Sequence, residues 1–228
     1  MKFACLIIVS STLLFAQTQS EPKHVAVERK NTMSIFAGMG VHMVSAPDIV
    51  EYINSVSTFA QRVDDFGAAV DFFGGVEFPI NDEWGVKLEH SYLFKSYTVE
   101  GNLGGTYEIF YANQSPSIII QKIIAGKGYF VKFGAGGGYH FGRLTQKVST
   151  FGTTTEYTSN GVGLSAEVVG QTAFGENVFG YIGGSLGWEF MSDLKESNGK
   201  TLTAPNSSKT VSLNYFHAGI RFGMNYYF

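Results

Sequence analysis

The sequence predicts an all-β fold, an antiparallel up-and-down eight-stranded transmembrane β-barrel with a short amphipathic helix in its first long loop. Three observations predict it. Stretches of ten to twenty residues sort apolar and polar side chains with a period of two, as strands with two unlike faces do. The 228 residues hold 28 Gly, 20 Phe and 12 Tyr but only 5 Pro, a composition suited to long twisted strands rather than disorder or a helical bundle. Beyond residue 20 no segment reaches the about 20 apolar residues of a membrane helix, so a spanning chain must close into a barrel that pairs every backbone polar group.

Met1 to Ser20 has the layout of a cleaved signal peptide: Lys2, an apolar core through Val9 and Leu13 to Phe15, then small or polar residues, with cleavage expected after Ala16 or Ser20. Cys5, the only cysteine, precedes that core, which argues against a lipid anchor and leaves the mature chain without a disulfide. Residues 21–32 read as a periplasmic leader and residues 33–228 as the barrel.

The first strand, Met33 to Ser45, sends Ile35, Ala37, Met39, Val41 and Met43 one way and Phe36, Gly38, Gly40 and His42 the other. Ser45 to Asp48 has the spacing of a capping box, and Ile49, Ile53, Val56, Ala60 and Val63, with Tyr52 and Phe59, recur at helical spacing. A helix over residues 48–63 is expected there, as a lid or a contact surface. Strands at Phe66–Phe78 and Trp84–Tyr97 flank the turn Pro79–Glu83; His90 interrupts an otherwise apolar outer file. A Gly-rich link, Val99–Gly105, leads to a strand near Thr106–Ile124, in which Pro116 predicts a bulge and a shift of phase around residues 113–117. Tyr129–Phe141, Gly161–Phe174, Val178–Met191 and Thr210–Phe228 complete the eight, and Thr145–Ser159 and Ser192–Ser208 read as long polar loops. Long and short connections thus alternate, with long loops at one rim and tight turns at the other.

The chain ends Arg221-x-Gly223-x-x-Tyr226-x-Phe228. This pattern resembles the carboxy-terminal assembly signal of bacterial outer-membrane β-barrels, and the barrel segment as a whole resembles their eight-stranded OmpA/OmpX-type family. The resemblance implies an outer-membrane location, insertion by the barrel-assembly machinery, contact with outer-membrane lipid and a monomer. It names no extracellular partner.

Alternation places Asp71, Glu77, Glu89, Glu108, Glu167 and Glu189 in the lumen with Lys87, Lys95, Lys132, Arg143 and Arg221. An eight-stranded barrel is wide enough only for side chains or one small ligand, and enclosed charges should pair, so an ion-paired plug is expected, with a proton or ion pathway as the alternative. Trp84, Tyr129, Trp188, Tyr226 and Phe228 fall near strand ends, as an interfacial aromatic girdle would.

No catalytic residue, cofactor or metal is predicted. Gly183-x-Ser185-x-Gly187 matches a nucleophile elbow in letters but lies in mid-strand, without the required turn and helix. The histidines sit singly on separate strands without metal-ligand spacing, and no His precedes a Ser by two residues, as in barrel deacylases that modify lipid A. Net charge is −3 with no long run of one sign, which excludes a nucleic-acid footprint. The expected function is structural support or surface contact through the long loops. Two alternatives are an OmpW-like barrel passing a small apolar molecule and a secreted lipocalin-like binder.

Overall fold

A computed structural model describes residues 32–56, 62–101, 105–148, 152–205 and 208–228. The signal peptide and most of the leader expected at residues 1–31 lie outside them, as do His24, Phe59 and Ala60. The elements are β1 Ser34–Ser45, α1 Pro47–Ser55, β2 Phe66–Pro79, β3 Trp84–Glu100, β4 Thr106–Gly126, β5 Tyr129–Val148, β6 Thr153–Ala173, β7 Val178–Met191 and β8 Tyr215–Tyr227. Each strand pairs antiparallel with the next, and β8 returns to β1 from Ser34↔Tyr227 to Ser45↔Phe216, closing an eight-stranded barrel. No edge is left for another chain to extend.

The two faces carry opposite chemistry. On the outer wall Ile118 is 59 % exposed and Ile182 58 %, while inside Lys87 is 0 % exposed. Apolar outside and charged inside is the inverse of a soluble core and suits a wall standing in lipid. It also removes the lipocalin-like alternative, whose apolar file faces inward.

Strand lengths divide the barrel into a low half and a tall half. β1 and β8 hold 12 and 13 residues, whereas β4 and β6 hold 21 each and β5 holds 20. The polar loop expected at Thr145–Ser159 is therefore mostly strand: Thr145 pairs with Glu156 and Lys147 with Thr154. Likewise the Gly-rich link shrinks, because β3 runs to Glu100 and pairs it with Thr106. Polar Thr-rich sequence looks like a loop by composition, yet Thr is β-branched and suits a strand standing in water.

Above the wall the polarity inverts. Ile109, Tyr111, Leu144 and Tyr157 of the tall half are buried inside, where they pack with Ile49, Tyr52 and Ile53 of α1 and with Leu194, Leu202, Val211 and Leu213 of the β7–β8 connection. That connection is not an open loop, since it is folded by bridges such as Asp193↔Ser212 and Thr203↔Thr210. The last strand accordingly begins at Tyr215 rather than Thr210.

Two further expectations are corrected. α1 stops at Ser55, short of Val63, and its N-cap is Ala46 with no side-chain cap. The expected capping box does not form because the Ser45 hydroxyl donates instead to Asp65 Oδ2 at 2.7 Å, and the Ala46 N–H donates to Asp65 Oδ1 at 3.1 Å. No bulge occurs at Pro116 either. β4 keeps one phase, with Asn113, Ser115, Ile119, Gln121 and Ile123 all buried. Its register with β3 is unbroken, while pairing with β5 steps from Gln114↔Phe141 to Ser117↔Gly138. Pro116 therefore turns its missing N–H toward β5 and omits a local bond, whereas a bulge would turn every later side chain to the wrong face.

Candidate functional site: the buried polar lumen

Three tiers of polar side chains fill the barrel between apolar ends. In the tier nearest the tight turns, Glu77 Oε2 accepts from Ser34 Oγ at 3.0 Å and Asn225 Nδ2 at 3.0 Å, and pairs with Lys132. Lys132 Nζ also donates to the Tyr227 hydroxyl at 3.0 Å, which donates to Gln171 Oε1 at 2.7 Å. Below this tier Ile123, Phe130 and Phe179 close the lumen.

The middle tier is an ion-pair lattice. Lys87 Nζ lies 2.7 Å from both Glu89 and Glu167, and Gln121 Nε2 donates to Glu167 at 2.9 Å. Arg221 spans the other side, donating from Nε to Asp71 at 2.7 Å and from one terminal nitrogen to Glu89 at 2.8 Å, with its plane 4.3 Å over the Phe73 ring. Ser91 Oγ donates to the remaining Asp71 oxygen at 2.9 Å. A planar five-donor guanidinium fits this role in a way one ammonium cannot.

The third tier is built from histidines, whose part in the lumen was only partly legible in the sequence. The Nδ1 atoms of His42 and His217 lie 3.0 Å apart, so one imidazole donates to the other. His42 Nε2 is 3.3 Å from Asp71 and His217 Nε2 is 3.8 Å from Glu189. His140 Nδ1 is 2.6 Å from Glu189, and its Nε2 is 3.0 Å from Ser117 Oγ. Alternation places these rings inward but cannot reveal the contacts, because their partners stand 49 residues away for His140 and 175 for His42.

Of the eleven charges expected in the lumen, Asp71, Glu77, Lys87, Glu89, Lys132, Glu167, Glu189 and Arg221 are buried there. Lys95 points inward at the rim of the tall half, its Nζ 4.6 Å over the Tyr97 ring. Glu108 and Arg143 stand on the outer face, where each is about half exposed and pairs across strands with Lys147 at 3.4 Å and Glu156 at 3.6 Å. They lie above the apolar belt, where the inverted polarity sends charges outward. Five buried carboxylates thus meet three buried Lys or Arg, and Glu189 is held by His140 and His217 alone among the described residues.

Ser117, His140 and Glu189 have the connectivity of a nucleophile, a base and an orienting acid. The cavity beside them measures about 40 Å³, room for little more than water. Ser185 is buried in the extended strand β7, and Gly187 gives the His217 ring a place to lie, since a Cβ there would meet it at 2.1 Å. The nucleophile-elbow letters therefore serve packing.

At the terminal strand, Gly223 faces the Ala37 carbonyl, where a Cβ would come within 2.4 Å, and the Phe228 N–H donates to Met33 at 3.1 Å. Trp84, Tyr129, Trp188, Tyr226 and Phe228 are all exposed on the outer wall.

A major outer-membrane protein from Thermus thermophilus is similar in structure, with a TM-score of 0.52 at 15% identity over 86% of this chain and 99% of that one. By fold, this chain is an eight-stranded antiparallel β-barrel of the kind that outer-membrane proteins adopt. Neisserial surface protein A gives a TM-score of 0.48 at 11% identity, covering 86% of this chain and 97% of its own. Ail of Yersinia pestis, in complex with the heparin analogue sucrose octasulfate, gives 0.47 at 16%, covering 87% and 100%. No protein-family model and no curated protein matches the chain.

Proposed function

We propose that this protein is a non-enzymatic outer-membrane scaffold, exported through a cleaved signal at Met1–Ser20, that presents a folded cap for structural support or contact at the cell surface. One observation carries the reading: the lumen is filled. Its polar tiers are cross-braced by ion pairs and hydrogen bonds, and its cavity of about 40 Å³ has apolar clusters above and below. A rigid post needs such a filling, whereas a conduit or an OmpW-like carrier needs a chamber. The tall half of the sheet, α1 and the bridged β7–β8 connection then form the presented surface.

Planar-bilayer recording of the purified protein tests this directly. We expect no steady conductance above that of the protein-free bilayer; stable unitary currents would establish a pathway and defeat the scaffold reading.

A further inference from the structure

We propose that two copies of this chain pair in the membrane through a patch of the outer wall centred on His90. The outer-facing residues of β3 run Trp84, Val86, Leu88, His90, Tyr92 and Phe94. The rows joining Trp84 to Lys122 and Phe94 to Ala112 bracket the apolar belt on this side. Six strand residues at about 3.3 Å and a tilt of roughly 40° put His90 about 15 Å above Trp84, inside the apolar band, which is about 25 Å tall. It is exposed, and among the described residues its ring makes no hydrogen bond or ion pair. Among those residues it is also the only acidic or basic side chain on the outer face between the two rows.

An ionisable side chain at that depth needs a partner, because hydrocarbon offers none. The wall around it is shaped for one. His90 stands opposite Gly74 on β2 and Pro116 on β4. With Gly137 these small residues leave a groove of about 640 Å³, walled by Leu88, Ile118 and Tyr139. Small residues let two membrane walls approach closely, and a polar side chain then joins them.

Depth selects the occupant. An acyl chain fills a groove but accepts no hydrogen bond. Two copies inserted the same way sit at the same depth, so a twofold axis along the membrane normal brings His90 against the same side chain of the second copy. A neutral imidazole carries one donor and one acceptor nitrogen, so the pair is self-complementary. The inference goes beyond the scaffold role and departs from the monomer implied by family resemblance.

Oxidative cross-linking in native membranes tests it, comparing His90→Cys with Leu186→Cys on β7, across the barrel. We expect at least about ten-fold more disulfide-linked dimer from H90C, at the effective concentrations a shared interface supplies. Equal yields from two heat-modifiable, hence folded, variants would overturn the proposal. In lipid nanodiscs the wild-type protein should be dimeric by mass. His90→Leu should lower the dimerisation constant about three- to fifteen-fold, the range of buried membrane hydrogen bonds, and Gly137→Leu, which fills the groove, should weaken pairing too. A monomeric wild type, with the groove holding lipid or a different protein, or an H90L variant that pairs undiminished, refutes it, and neither result bears on the conductance test.

Discussion

Arg221 shows how much one side chain can hold in an enclosed polar lumen. It touches Asp71 and Glu89, lies over Phe73, and comes from the strand that closes the ring. Replacing it with Ala would leave both carboxylates buried without this cation, and breaking a buried pair from one side costs about 3–5 kcal/mol. Arg221→Ala should therefore unfold at markedly lower urea concentration in detergent micelles, read by the heat-modifiable gel shift. An unchanged midpoint would mean the lattice is redundant. Strand parity made nine of the eleven charges legible from sequence, eight buried in the lumen and Lys95 inward at its rim. Glu108 and Arg143 depart from the expectation because charge does not mark the inward face at every height: both stand on the outer file, two residues along the strand from Phe110 and Phe141. The histidine contacts were illegible for another reason, since they join strands that are distant in the chain.

At the scale of elements, the cap is the part least available to sequence reading. α1 was visible from its apolar spacing, but its start is set by Asp65, and near its end the Asn54 side chain bonds both backbone groups of Val63. Asp48 of α1 accepts from Ser212 Oγ at 2.6 Å and lies 3.0 Å from Lys209 Nζ. Burial would raise its pKa, but the Ser212 hydroxyl and the Lys209 ammonium together hold it below the ordinary carboxylate value. With the folded value below the unfolded value of about 3.9, the contact contributes fully above about pH 5. Its contribution disappears as pH falls through the folded value. Because Lys209 stands in water, the contribution is small and is screened by salt. Hydrogen exchange in α1, corrected for intrinsic rates, should show less protection at pH 3 than at pH 6, and Asp48→Asn should largely abolish that difference. A pH response that survives in D48N would assign it to another group.

Taken whole, the barrel was legible because alternation, turn chemistry and glycine content agreed across the chain, a consistency that a closed sheet requires. The heights of its two halves were not, since Ser and Thr serve loops and water-exposed strands alike. The last strand is where the molecular and residue scales meet. Its Phe228 N–H bonds to Met33 and its aromatic side chain points outward beside Tyr226, their ring centroids 5.4 Å apart. If this terminus also addresses the chain to the assembly machinery, deleting Phe228 should leave export intact while the heat-modifiable form in the outer membrane falls several-fold. Assembly at the wild-type level would show that Phe228 is only a wall residue.

The change of polarity at the Phe94–Arg143 level acts as a waterline. Sinking the barrel by two residues would draw Arg143 toward hydrocarbon, and lifting it by two would strand Phe141 and Tyr92 in water. A charge on the lipid face costs about 0–1 kcal/mol near the interface and about 2–4 kcal/mol at the midplane, so each step downward is opposed more strongly than the last. The chain thus carries its own draught, and anything docking on the cap meets it at a set height above the lipid headgroups.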